Sequence, residues 1–134
     1  MDWSHALECL EFWAKDRGYH GEFVKNGDDS LCYINKIIEI NSSSSLENQV
    51  YRLLHECGHV LIIENSSVIN FDKLRDQEFD QKTVYFKSLT VIEEAEAWKR
   101  GIQLARRLEI PVDYEKFESS MIKAISKYIR WACN

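Results

Sequence analysis

The sequence predicts an α+β fold: a small antiparallel sheet packed on a central helix, with one helix before it and two further helices after it. Three observations carry this. Apolar residues recur at three- and four-residue steps in four separate stretches, the spacing of a buried helix face. Between the first two stretches, residues 19–41 change to β-branched and aromatic residues broken by turn signals. Serine, threonine or aspartate stands ahead of each of the last three stretches, where a helix N-terminus needs a side-chain acceptor. The 134 residues fit one domain spanning residues 1–134, and a 45% hydrophobic content is enough to build a core.

The elements follow in order. Trp3, Ala6, Leu7, Leu10, Trp13 and Ala14 form the stripe of a first helix over residues 2–16, which Gly18 ends. Residues 19–25, 31–34 and 36–40 read as strands, with Asn26-Gly27-Asp28-Asp29 as the turn between the first two. The serine run 42–45 reads as a tight loop rather than a linker, because Ser44 and Glu47 match the S-x-x-E capping box. Leu46, Val50, Leu53, Leu54, Cys57 and Leu61 then carry a helix to about Glu64, closed by Asn65-Ser66-Ser67. Residues 66–87 lack a clean period. Their charge-rich part reads either as a flap or as a solvated connection, and residues 83–86 fit a short strand. Thr90 and Glu93 make a second capping-box match ahead of a long helix that Pro111 terminates, and Asp113 caps the last helix.

Composition narrows the function. A net charge of −5 argues against nucleic-acid binding driven by global charge. No run of about 18 apolar residues is present to make a membrane span. Met1-Asp2-Trp3-Ser4-His5 lacks the basic-then-apolar layout of a signal peptide, so a cytoplasmic location is expected. None of Cys9, Cys32, Cys57 and Cys133 falls in a C-x-x-C pair, and all four read as reduced thiols.

The informative motif is His55-Glu56-Cys57-Gly58-His59, an H-E-x-x-H inside the second helix. Residues four apart share a helix face, so His55 and His59 can point at one metal ion while Glu56 reaches a water beside it. Two imidazoles and a carboxylate base are the parts of a zinc hydrolase. Chance supplies such a match in roughly one of several hundred chains of this length. Cys57 turns away from the histidine face and reads as core.

A hydrolytic zinc site usually has three protein ligands and one open position. A histidine six residues beyond His59 would give one known solution, but Asn65 stands there. His5 and His20 precede or enter the sheet and read as ordinary histidines. Glu93, Glu94 and Glu96 open the next long helix. Glu93 has a competing role in its capping box. Glu94 is followed by the small Ala95, which would let two helices approach. Glu96 points about 200° away from Glu94. The order of preference is therefore Glu94, then Glu93, then Glu96.

The run Ile37-Ile38-Glu39-Ile40-Asn41, the helix Tyr51-Arg52-Leu53-Leu54-His55-Glu56-Cys57-Gly58-His59 and the later Glu94-Ala95 resemble the ImmA/IrrE family of zinc metallopeptidases, over about residues 20–108. The chain also resembles small phage-encoded zincin-like proteins. The resemblance implies a minimal zincin-like fold of gluzincin type, with an edge strand beside the active-site helix that aligns a peptide by strand addition. It implies cleavage of a regulatory protein. The position after the Glu-Ala pair is Glu96, where the family has Asn.

The expected activity is zinc-dependent endopeptidase action on a protein or peptide substrate, with no nucleic-acid or membrane partner. Zn²⁺ is held by His55, His59 and Glu94, and Glu56 is the general base. Tyr85 and Tyr128 are the phenols available as oxyanion donors. The alternative is a non-catalytic, zinc-containing protein-binding module on the same scaffold.

Overall fold

The computed structural model describes residues 1–65 and 69–134. Its elements are α1 (Trp3–Asp16), β1 (His20–Val24), β2 (Ser30–Cys32), β3 (Ile37–Asn41), α2 (Leu46–Glu64), a 3-10 turn (Asp72–Arg75), α3 (Val84–Arg107) and α4 (Tyr114–Ala132). The class is α+β, as the sequence predicts. The first helix begins where the Asp2 side chain accepts a hydrogen bond from the His5 amide at 2.8 Å. It ends at Gly18, whose φ of +86° lies in the left-handed region that glycine enters without a steric penalty.

The sheet departs from expectation. Its strand order is β1-β3-β2, with β2 antiparallel and β1 parallel to β3, so it is mixed rather than antiparallel. The residues 26–29 segment does not close a hairpin. It carries the chain past the slot that β3 later fills, and β3 ties it down: Glu39 Oε2 accepts from the Asp28 amide at 2.8 Å, and Asp29 Oδ1 accepts from the Asn41 amide at 2.9 Å. The hairpin among the described residues joins β2 to β3. All three strands alternate in burial, and β3, as the central strand, is the deepest, with Ile38 and Ile40 fully buried.

Ile38 and Ile40 join Ala6, Leu10 and Ala14 of α1, Val50, Leu54 and Cys57 of α2, and Trp98 and Leu104 of α3 in one core. Cys57 is thus a core residue, and burial pushes its thiol up. Tyr51 ties α2 to the start of α4: its hydroxyl donates to Glu47 Oε2 at 2.6 Å and accepts from the Asp113 amide at 3.1 Å.

Two helix starts lie elsewhere than the capping boxes suggest. Ser45, not Ser44, caps α2 by accepting from the Asn48 amide at 3.2 Å. Glu47 is spent on Tyr51 and Lys116 rather than on a box. Thr83, not Thr90, caps α3 by accepting from the Phe86 amide at 3.1 Å. Residues 83–86 are accordingly a cap and first turn rather than a strand. Thr90 sits inside the helix and donates its hydroxyl back to the Phe86 carbonyl at 2.9 Å. Asp113 caps α4 as expected, accepting from the Glu115 and Lys116 amides. The Ser66-Ser67 part of the expected helix stop lies outside the described residues. No helix among the described residues is long and apolar enough to cross a membrane.

Candidate metal centre

Helices α2 and α3 cross at very close range, and glycine makes this possible. A Cβ on Gly58 would sit 1.9 Å from the Ala97 carbonyl oxygen, and one on Gly101 would sit 2.7 Å from the Leu54 carbonyl oxygen. The small residues at the contact are therefore Gly58, Ala97 and Gly101. Ala95, expected to fill this role, is exposed. The crossing brings the α2 face carrying His55 and His59 onto the α3 face carrying Glu93, Glu94 and Trp98, all of them buried.

Glu94 reaches both imidazoles. Its Oε2 is 2.9 Å from His55 Nε2 and its Oε1 is 3.2 Å from His59 Nε2. Glu93 lies one residue back and contacts the other side of His59, with Oε1 3.2 Å from Nδ1. Glu96 points away and pairs with Arg100 at 3.0 Å. The first helix keeps His5 exposed beside Cys9 and Glu8, and His20 is exposed on β1. Among the described residues, His55, His59 and Glu94 are the group whose ligand atoms converge, all within 4.8 Å of one another.

The donor set fits a metal ion. Glu94 sets one carboxylate oxygen against each imidazole Nε2, and the three residues can each offer a ligand atom within 4.8 Å of the others, a His–His–carboxylate set of the kind that binds zinc. Glu94 Oε2 is buried without a hydrogen-bond partner beside His55 Nε2, an orphaned oxygen that a cation could satisfy. Three buried carboxylates (Glu56, Glu93 and Glu94) surround two imidazoles, and an electronegative pocket of nitrogen and oxygen donors suits a divalent ion.

The histidines are held by different neighbours. The His55 ring stacks on Trp98, centroids 4.4 Å apart and planes 21° from parallel, and its Nδ1 has no hydrogen-bond partner. His59 is held through Nδ1 by Glu93. Charges are set accordingly. Burial alone would raise Glu94, but the His55 and His59 imidazoles beside it outweigh burial and hold the carboxyl well below the usual range. Burial likewise opposes a charged His59, yet Glu93 and Glu94 raise it to about 10 in the metal-free chain. Glu56 is driven upward by burial against the pull of both histidines, and its Oε2 has no partner.

These residues line a cavity of about 340 Å³. Leu31 of the edge strand β2 forms one wall, Leu74 and Arg75 another, and Tyr128 of α4 a third. Burial and the nearby charge of Glu94 push the Tyr128 phenol up, so it keeps its proton. Tyr85 lies elsewhere, exposed and against Phe79. Sequence reasoning missed Trp98 as a support for His55, although it stands four residues after Glu94 on the same helix face. It also missed Arg75, in a segment without readable period.

No protein-family model matches the chain, and neither a curated protein nor a solved structure does.

Proposed function

We propose that this chain is a zinc-dependent endopeptidase of gluzincin type, as its resemblance to the ImmA/IrrE family suggests. One observation carries the reading: Glu56 is buried beside the His55–His59–Glu94 cluster with a carboxylate oxygen left unpaired. An unpartnered buried oxygen costs about 1–3 kcal/mol. A purely structural metal site has no use for it, whereas hydrolysis needs a proton acceptor at this position. This favours an enzyme over a zinc-containing binding module.

His55, His59 and Glu94 would hold the ion, which when bound polarises a carbonyl and acidifies water. The other steps belong to the chain. A peptide lies along the free edge of β2, which forms one wall of the cavity, and pairs with it by strand addition. Glu56 accepts the proton of the attacking water and passes it to the leaving amine, a role helped by the upward push of burial on its carboxyl. Tyr128, protonated and facing Glu94, is the available hydrogen-bond donor to the oxyanion. A regulatory protein in the cytoplasm is the substrate class that the resemblance suggests.

The test is Glu56→Gln. The variant should retain about one zinc per chain by mass spectrometry and lose peptide hydrolysis by at least about 10²–10⁴-fold. A Glu56→Gln protein that still cleaves a peptide library as the parent does would overturn the mechanism. A parent protein that binds zinc and cleaves nothing would turn the reading to the binding module.

A further inference from the structure

Arg75 sits in the 3-10 turn Asp72–Arg75, outside every element that supplies a candidate ligand. It is nevertheless tied into the site. One guanidinium nitrogen lies 3.0 Å from Glu93 Oε2, and another donates to the Phe71 carbonyl at 3.0 Å. The Arg75 carbonyl accepts the Tyr33 hydroxyl at 3.1 Å. Phe71 is buried against Ile62, Leu89 and Ala97, and Leu74 packs on the same cluster. The segment 71–75 is therefore a strap running from the end of β2 to α3. The chain of contacts through the site is Arg75, Glu93, His59 Nδ1, with His59 Nε2 on the far side of the ring facing Glu94.

We propose that Glu93 and Arg75 are positioning residues of the metal centre: Glu93 fixes the orientation and tautomer of His59, Arg75 fixes Glu93, and metal affinity thereby depends on a strap that contains no ligand. The inference rests on the metal-centre reading above. An imidazole that donates Nδ1–H to a carboxylate presents Nε2 as a lone pair, and the carboxylate makes that lone pair more basic. A carboxylate left free to rotate would do neither well. Arg75 holds it by a charge-assisted contact on its second oxygen, in a place where the arginine side chain is itself largely buried. His55 has no such partner and is fixed by stacking on Trp98, so the Glu93 effect is specific to one ligand. Glu96–Arg100 is an ion pair of similar length on the same helix that touches neither histidine, and it serves as the control.

The experiment is competition for zinc(II) against a chromophoric chelator, with the parent protein, Glu93→Ala, Arg75→Ala, Arg75→Lys, Glu96→Gln and His59→Ala. Glu93→Ala should weaken zinc binding about 10–100-fold. Arg75→Ala should weaken it less, with Arg75→Lys recovering part of the loss, and Glu96→Gln should stay within about twofold of the parent. Hydrogen exchange at the 71–75 amides should quicken in Arg75→Ala. If Glu93→Ala does not fold, Glu93→Gln keeps the shape and removes the charge. Its cobalt(II)-substituted form should then show a shifted visible absorption band beside that of the parent. Unchanged zinc affinity in folded Glu93→Ala and Arg75→Ala, or an unshifted cobalt band in Glu93→Gln, overturns this proposal alone, provided His59→Ala has lost zinc. Zinc held equally by His59→Ala, or no zinc in the parent, removes the metal centre and this proposal with it.

Discussion

His59 stands between two buried carboxylates. Flanked by Glu93 and Glu94, it holds its proton up to about 10 when no metal is present, against an ordinary imidazole value near 6.5. A raised folded-state value stabilises the metal-free protein fully below about 6.5, and that contribution is lost as pH rises through 10. Zinc needs the neutral imidazole, so zinc uptake at pH 7 must expel this proton. Calorimetric titration of zinc in buffers of different ionisation enthalpy should report about one proton released per ion from this group. A slope of zero would mean that the imidazole is already neutral and that the Glu93 and Glu94 contacts do not charge it. The pairing of His55 with His59 was legible in the sequence because four-residue spacing fixes a common face. The order of preference among the glutamates singled out the residue that the structure places between the imidazoles, but through two reasons that fail. Glu93 is not in a capping box, and Ala95 is not at the helix contact. Adjacent residues differ by only about 100° around a helix, which lets Glu93 and Glu94 both reach His59 from different sides. Periodicity alone cannot say which of the two touches Nε2.

The α2–α3 crossing is the element-scale feature on which the site depends. Gly58 lies inside the H-E-x-x-H motif, yet its role is in packing, since its absent side chain leaves room for the Ala97 carbonyl. Gly58→Ala would force the helices apart just where Glu94 meets the histidines. The expected cost is about 3 kcal/mol or more, at the upper end of overpacking, read as a lower urea midpoint. Zinc affinity should fall with it, because a shift of a few tenths of an ångström is comparable to the tolerance of a zinc bond. A Gly58→Ala protein with the parent's midpoint and affinity would show that the crossing is not rigid. The four helices were readable because each carries an apolar stripe toward the core, even α4, where Phe117 is buried and Met121, Ala124 and Ile125 are partly buried. Their exact starts and the sheet topology were not. Ser44–Glu47 and Thr90–Glu93 match the capping box by spacing, but Ser45 and Thr83 are the residues whose backbone leaves the helix. Asn26-Gly27 has hairpin chemistry, yet the pairing partner of β1 lies beyond the next strand. Strand pairing of that kind is settled by burial of Ile38 and Ile40, a non-local choice that local turn signals do not encode.

For the whole molecule, the question is whether a metal ion bound here would build the fold or only fasten it. The candidate ligands join α2 to α3, two helices that already meet through Gly58, Ala97 and Gly101 and share a core containing Trp98 and Leu54. A domain of this size with a continuous apolar core reaches the usual 5–15 kcal/mol without a staple, unlike small zinc modules that unfold when stripped. The cavity, by contrast, buries Glu56 and Glu94 with unpaired oxygens and sets His59 between carboxylates, an arrangement that a bound cation would relieve. The chelated protein should therefore stay folded at 25 °C with the far-UV dichroism of the loaded form. Zinc at about 100 times its dissociation constant should add about 2.7 kcal/mol, which for a chain of this length raises the melting temperature by roughly 10 °C. Calorimetric scans with and without chelator decide it. Loss of helical signal on chelation at room temperature would mean that the metal is part of the core. Identical melting curves, with zinc present in one sample, would mean that the ion does not bind between these helices.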